Sequence, residues 1–73
     1  MITVADHGSV KSFILNGRIV VQAEQQASGA LVPGFVDKAL VPGWSDVPSW
    51  YPCEQAIADA IEKACTAVFA RVG

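Results

Sequence analysis

The N-terminal part of the chain consists of short runs of apolar and β-branched residues separated by polar turn residues. Residues 9–15 and 18–23 carry the β-branched and aromatic side chains that favour strands. Asn16 and Gly17 lie between these two runs, and this dipeptide accepts the positive φ angles of a tight hairpin turn. The pattern therefore predicts a β-hairpin. Residues 2–5 are a candidate for a further strand, which ends in a predicted turn at residues 6–8.

A pentapeptide of Leu, Val, Pro, Gly and an aromatic residue occurs twice, at residues 31–35 and 40–44. Pro-Gly suits the two central positions of a type II turn, because proline fixes φ and glycine accepts a positive φ. The sequence thus predicts two such turns, each followed by an aromatic ring. Between them, residues 36–40 are expected to form a short strand or a single helical turn.

The last part of the chain has the spacing of an amphipathic helix. Ser49 is a candidate N-cap with Pro52 in the first turn, and the alternative is a helix that begins at Pro52 itself. We expect a single domain over residues 1–73, β-rich at 1–48 and helical at 49–72. The predicted fold class is α+β, an antiparallel hairpin or meander of about three strands packed against one C-terminal amphipathic helix.

Two apolar stripes run along the predicted helix. The first should cover the sheet and consists of Cys53, Ile57, Ala60, Ile61, Ala64 and Val68. The second comprises Ala58, Cys65, Phe69 and Val72. Because one sheet face covers only part of a helix circumference, we expect the second stripe to form an interface with another copy of the chain. The alternative is that an N-terminal loop folds over it.

The amino-acid composition also favours self-association. Apolar residues make up 52% of the chain and charged residues 16%, whereas a globular chain is typically about 25% charged. A domain of 73 residues has a large surface relative to its interior, so an excess of apolar residues has to be covered. We expect a homo-oligomer or an obligate complex, and the alternative is a monomer with an apolar surface.

Charge and hydropathy argue against two classes of partner. The net charge is −2 and the five basic residues are scattered, so the basic patch that nucleic-acid binding requires is not predicted. No apolar run approaches the ~20 residues that span a bilayer, and we expect no membrane partner. The N-terminal residues do not have the pattern of a secretory signal, and the expected location is the cytoplasm. Cys53 and Cys65 lie too far apart on the predicted helix to form a disulfide and are expected to be reduced.

The sequence predicts neither an enzyme nor a cofactor or metal site. His7 is the single histidine and lies beside Asp6 in a predicted turn, where neighbouring residues rarely form a catalytic triad. The histidine and the two cysteines do not have the spacing of metal ligands.

Four aromatic residues are the candidate binding residues: Phe35, Trp44, Trp50 and Tyr51. Tryptophan and tyrosine are enriched at interaction hot spots. We therefore expect a small accessory or inhibitor-type protein, of the kind that phages and mobile elements encode, which self-associates through its helix and contacts a protein partner through the aromatic residues. One alternative is a binder of a flat, nucleotide-like small molecule at a subunit interface, and another is a structural subunit of a larger assembly. A further alternative is that the four rings fill the core.

Overall fold

The computed structural model describes residues 2–45, 47 and 49–72, with the side chains of the helix described as far as residue 65. A four-stranded antiparallel sheet has the strand order of the chain, and one C-terminal helix packs on it. The elements are β1 (Ile2–His7), β2 (Val10–Leu15), β3 (Arg18–Gln25), β4 (Leu31–Val36) and α1 (Glu54–Val72). The α+β fold class is confirmed, and the meander contains one strand more than expected.

The turns that join the first three strands depend on residues with positive φ. Asn16 (φ 52°) and Gly17 (φ 81°) join β2 to β3, as predicted for an Asn-Gly hairpin. Gly8 (φ 81°) joins β1 to β2, and its N–H donates to the Asp6 carboxylate at 3.0 Å. The first turn therefore lies at residues 8–9 and not at 6–8, because β1 remains paired with β2 as far as His7.

The sheet has an inner face, which packs against α1, and an outer face. Val4, Phe13 and Val21 lie opposite one another in three successive strands on the inner face. The core cluster combines inner-face residues with residues of α1 and of the segment before it: Phe13, Val20, Val21, Ala23, Leu31, Val41, Trp44, Tyr51, Ile57, Ile61, Ala64 and Cys65. Val20 and Val21 are both fully buried, because a bulge at this point of β3 interrupts the alternation of side chains.

The two pentapeptides adopt different structures, and neither forms the predicted type II turn. Residues 31–35 belong to β4, in which Gly34 is the extra residue of a β-bulge. Residues 41–44 form a turn in which the Trp44 N–H donates to the Val41 carbonyl at 3.0 Å. Neither Gly34 nor Gly43 has the positive φ that a type II turn requires. Gly43 instead allows this turn to pack closely against α1, since a Cβ atom at residue 43 would lie 3.1 Å from the Ala64 carbonyl oxygen.

A single helical turn follows β4, which is one of the two alternatives expected for this segment. The N–H groups of Leu40 and Val41 both donate to the carbonyl of Asp37, at 3.1 Å and 3.0 Å. The Asp37 side chain also accepts a hydrogen bond from the Ala39 N–H at 3.1 Å. This turn reverses the chain, so that residues 40–44 pass over the side of α1.

The helix begins at Glu54, later than the predicted start at residue 49 or 52. Tyr51 explains the delay, because its N–H donates to the Leu31 carbonyl at 2.8 Å and its carbonyl accepts from the Leu31 N–H at 2.7 Å. This bridge pairs Tyr51 with β4 and keeps the chain out of the helical conformation up to that point. Cys53 consequently precedes the helix and is exposed, so it does not belong to the stripe that was predicted to cover the sheet.

The second predicted stripe of the helix is covered in part by the chain itself. Cys65 is buried, and its thiol donates to the Leu40 carbonyl at 3.6 Å. The covering segment is therefore the connection between β4 and α1, and not an N-terminal loop. Ala58 is half-buried. The side chains of Phe69 and Val72 lie outside the described residues, so a helical interface at these two positions stays a prediction.

Candidate functional site

The four aromatic residues that the sequence singles out form two pairs. Trp44 and Tyr51 are buried, with ring centroids 5.7 Å apart and ring planes inclined at 44°. Phe35 and Trp50 keep 47% and 54% of their surface exposed. Trp44 and Tyr51 thus stabilise the core, and the binding prediction is retained for Phe35 and Trp50, which a partner can reach.

The bulge at Gly34 determines where Phe35 lies. Pro33 is opposite Ala23, which belongs to the core, whereas Phe35 is opposite Gln22 on the outer face. In an unbroken strand, residues 33 and 35 would share one face, because side chains alternate. The extra residue shifts this alternation by one position. Phe35 is therefore exposed as a consequence of the backbone geometry of β4.

The bridge between Leu31 and Tyr51 determines where Trp50 lies. The bridge is isolated, and because it is antiparallel, Trp50 lies on the same side of the bridged pair along the chain as Val32. Val32 lies opposite Glu24 on the outer face, and the side chains of residues adjacent to a bridge point away from the face of the bridged pair. Trp50 thus extends the outer face beyond β4.

The outer face is almost free of charged side chains. The strand registers place on it Thr3, Ala5, His7, Val10, Ser12, Ile14, Ile19, Gln22, Glu24, Val32 and Phe35. Glu24 is the one acidic residue in this set, and the set contains no lysine or arginine. Ile19 keeps 42% of its surface exposed. The described part of the chain thus presents a surface with few charges and a mixture of apolar and polar residues on the side of the sheet opposite α1, and depletion of charge with enrichment of aromatic residues is typical of the centre of an interface.

A polar pair lies at the middle of the outer face. The amide nitrogen of Gln22 donates to the Ser12 hydroxyl at 3.2 Å, and Ser12 is only 1% exposed. Gln22 is half-buried. Because a buried hydroxyl without a partner costs free energy, the glutamine allows a serine to be buried within this surface.

The inner face contains one charged cluster, next to the start of α1. Lys11 is 7% exposed, and its Nζ lies 2.8 Å from Asp6 Oδ2 and 3.8 Å from Glu54 Oε2. The hydrogen bond from Lys11 lowers the pKa of Asp6, and the Gly8 N–H acts in the same direction. The same hydrogen bond raises the pKa of Lys11. The cluster links β1, β2 and the helix N-terminus, which is a structural role.

Two concave regions flank α1. One has a volume of about 470 Å³, and its lining includes Lys11 of β2, Gln25 at the end of β3 and Cys53 just before α1. The other, a groove of about 520 Å³, lies between the helix and the first two strands and is lined by Ile2, Leu15, Gln55, Ala58 and Glu62. Cys65 is buried, which raises the pKa of its thiol, whereas Cys53 is exposed.

Asp6 and Ser12, two polar residues near His7 in the sequence, lie on opposite faces of the sheet. Asp6 is engaged by Lys11, and Ser12 lies on the outer face, where it accepts its hydrogen bond from Gln22. His7 is exposed at the end of β1, opposite Val10. Among the described residues, no group of three or more histidine, cysteine, aspartate or glutamate side chains is placed to hold a metal ion.

Comparison of the chain with protein-family models, with curated proteins and with solved structures finds no match. Within the described part of the chain, the helix is not long and apolar enough to cross a membrane.

The sequence analysis did not identify the outer face of the sheet as a surface. Alternation in residues 10–14 gives a partial signal, because Val10, Ser12 and Ile14 share one side of β2. The bulges in β3 and β4 break this alternation, so Ile19 and Phe35 cannot be assigned to the same face by counting residues. The role of Lys11 also gives no local signal, since Glu54 is distant in sequence.

Proposed function

We propose that this protein is a non-catalytic protein-binding module whose contact surface is the outer face of the sheet. The observation that carries the proposal is the position of Phe35 and Trp50, two large rings that are about half-exposed beside aliphatic and uncharged residues. Aromatic anchors of this kind account for much of the binding free energy of protein interfaces. A stable partner therefore presents an apolar surface of its own.

A clamp for a flat small molecule has less support. Val32 and Phe35 lie opposite Glu24 and Gln22, which are two residue positions or about 7 Å apart on β3 because Gly34 is bulged. Phe35 and Trp50 lie on one face of the sheet. Trp44, the third residue expected to line such a pocket, is buried against Tyr51. A protein surface, which can contact both exposed rings from one side of the sheet, is the better fit to this arrangement.

The experiment uses three baits prepared from the full chain: the wild type, the double variant Phe35→Ser/Trp50→Ser, and the control Val47→Ser. Val47 is 81% exposed but belongs to the connecting segment and not to the sheet. Proteins captured from the host cell by the wild type are purified and titrated calorimetrically against each bait.

We expect the double variant to bind the captured protein at least ~30-fold more weakly, which corresponds to about 2 kcal/mol, while Val47→Ser binds like the wild type. Because the outer face is nearly uncharged, we also expect little change of affinity with salt concentration. Equal binding by the wild type and the double variant would refute the proposed site.

A further inference from the structure

The two edges of the sheet differ in how they are protected from pairing with another strand. The β4 edge carries Pro33, a bulge at Gly34 and the bridge to Tyr51, and each of these features hinders the addition of a further strand. The β1 edge contains no proline, no lysine and no bulge. No described segment pairs with its open side.

The hydrogen-bonding groups at the open side of β1 can be assigned from the first hairpin. His7 and Val10 flank the two-residue loop, and such a flanking pair is hydrogen-bonded. Because hydrogen-bonded and non-hydrogen-bonded pairs alternate in an antiparallel ladder, the N–H and C=O groups of Ile2, Val4 and Asp6 point away from β2. The edge therefore offers alternating donors and acceptors over its whole length.

We propose that β1 is a dimerisation strand that pairs in antiparallel orientation with β1 of a second copy of this chain. In the register with the most hydrogen bonds, Val4 of one copy lies opposite Val4 of the other, and Ile2 lies opposite Asp6. The two sheets then form one continuous eight-stranded sheet, and the outer faces of both copies lie on the same side.

A second copy fits this edge for two reasons. The set of outward-pointing groups at Ile2, Val4 and Asp6 is symmetric about Val4, so an antiparallel copy satisfies every one of them. Charge does not oppose the pairing, although each chain has a net charge of −2. Asp6 is the one acidic residue of β1, and it is paired with Lys11 at 2.8 Å. The two Asp6 residues would lie four residue positions apart along the seam, roughly 14 Å, which exceeds the screening length of about 8 Å at physiological salt.

The groove between α1 and the first two strands lies beside the seam. Ile2, Leu15, Gln55, Ala58 and Glu62 line it, and Ile2 and Val4 are partly buried residues that pack against the core. In the antiparallel dimer, Asp6 of the second copy lies opposite Ile2 at this groove, and the two Val4 side chains supply the apolar contact at the centre of the seam. Ala58, which the sequence analysis assigned to an oligomer interface, is one of the residues that line this groove.

The first test is light scattering coupled to size exclusion over a range of protein concentrations. A monomer has a mass of 7.7 kDa, and we expect the wild type to approach twice this mass at high concentration. Val4→Pro removes an outward N–H and leaves the hydrogen bonds between β1 and β2 in place, so we expect a folded monomer. The control variant Phe35→Ser, which alters the outer face only, should remain a dimer. A wild type that is a monomer at every concentration overturns the proposal, as does an undiminished Val4→Pro dimer.

The second test examines the register. In a Cys53→Ser background, Val4→Cys places two thiols on the axis at a Cα separation of about 5.5 Å, which suits a disulfide. Thr3→Cys in the same background is the control, because residue 3 lies opposite residue 5 of the other copy. We expect cross-linking of Val4→Cys at least ~10-fold faster than of Thr3→Cys. Faster cross-linking of the control contradicts the register.

Hydrogen exchange of the wild type tests the proposed β1 pairing without any variant, so this test does not depend on whether the variants fold. We expect the Val4 amide to exchange at least ~10-fold more slowly at high than at low protein concentration. Exchange of this amide that does not depend on concentration overturns the proposal.

Discussion

The two Leu-Val-Pro-Gly-aromatic pentapeptides are nearly identical in sequence and opposite in structural role. In the first, Leu31 is buried and Phe35 is exposed, whereas in the second Val41 and Trp44 are buried. The first lies in a strand that has a bulge at its glycine, and the second forms a turn whose glycine contacts the helix backbone. A local sequence therefore does not determine its own conformation here, and the segments that pack against it decide the result.

Replacing the aromatic residue should separate the two pentapeptides most strongly. We expect Trp44→Ala to lower the free energy of unfolding by about 3–5 kcal/mol, since it leaves a large cavity beside Tyr51, and Phe35→Ala to lower it by less than about 1 kcal/mol. Urea titration followed by circular dichroism measures both. A small domain has only roughly 5–10 kcal/mol of stability, so Trp44→Phe serves as the milder variant. Similar losses for the Ala variants would contradict the different burial of the two rings.

Replacing the glycine should change stability in opposite directions. A Cβ atom at residue 43 would lie 3.1 Å from the Ala64 carbonyl oxygen and 3.3 Å from its Cα, and we expect Gly43→Ala to cost about 1–3 kcal/mol. At Gly34 the Cβ atom meets nothing within 4 Å and φ is not positive. Gly34→Ala is thus expected to stabilise the protein by about 0.4–1 kcal/mol, because it restricts the unfolded chain. Thermal unfolding of the two variants side by side gives the sign of each change.

Replacing the valine should produce the smallest difference. Val41 is fully buried and Val32 is half-buried, so we expect about 2 kcal/mol of destabilisation for Val41→Ala and about 1 kcal/mol or less for Val32→Ala. The same urea titrations provide the values. A larger loss at Val32 would indicate that the outer face is covered in solution, for example by a partner.

The sequence correctly predicted the element whose conformation depends on local signals alone. The Asn16-Gly17 hairpin depends on backbone preferences of these two residues alone, and it was found where it was expected. The start of the helix was not, because Tyr51 pairs with Leu31, twenty residues earlier in the chain. The prediction of two type II turns was also wrong. Residues 31–35 lie in a strand, and residues 41–44 form a turn without the positive φ at Gly43 that type II requires.

The candidate site could be predicted only in part. The aromatic residues were identified as a group, but their division into a buried and an exposed pair depends on the bulge at Gly34 and on the bridge at Tyr51. Both features are set by pairing with other segments of the chain. The open edge at β1 gives no signal in the sequence, because the position of a strand at the edge depends on how the other strands of the sheet pair and not on its own residues.

The strands lie in the sheet in the same order as in the chain, and this order affects the kinetics of folding. Each strand pairs with its neighbour in sequence, so the loops that close during folding of the sheet are short and cost little entropy. The long-range steps are the docking of α1 and the pairing of Tyr51 with Leu31. Proteins with mainly local contacts fold rapidly, and the sheet of this chain can therefore form before the helix covers its inner face. During that interval both faces of the sheet are accessible to solvent. The rate at which α1 docks therefore determines how long the apolar inner face stays exposed.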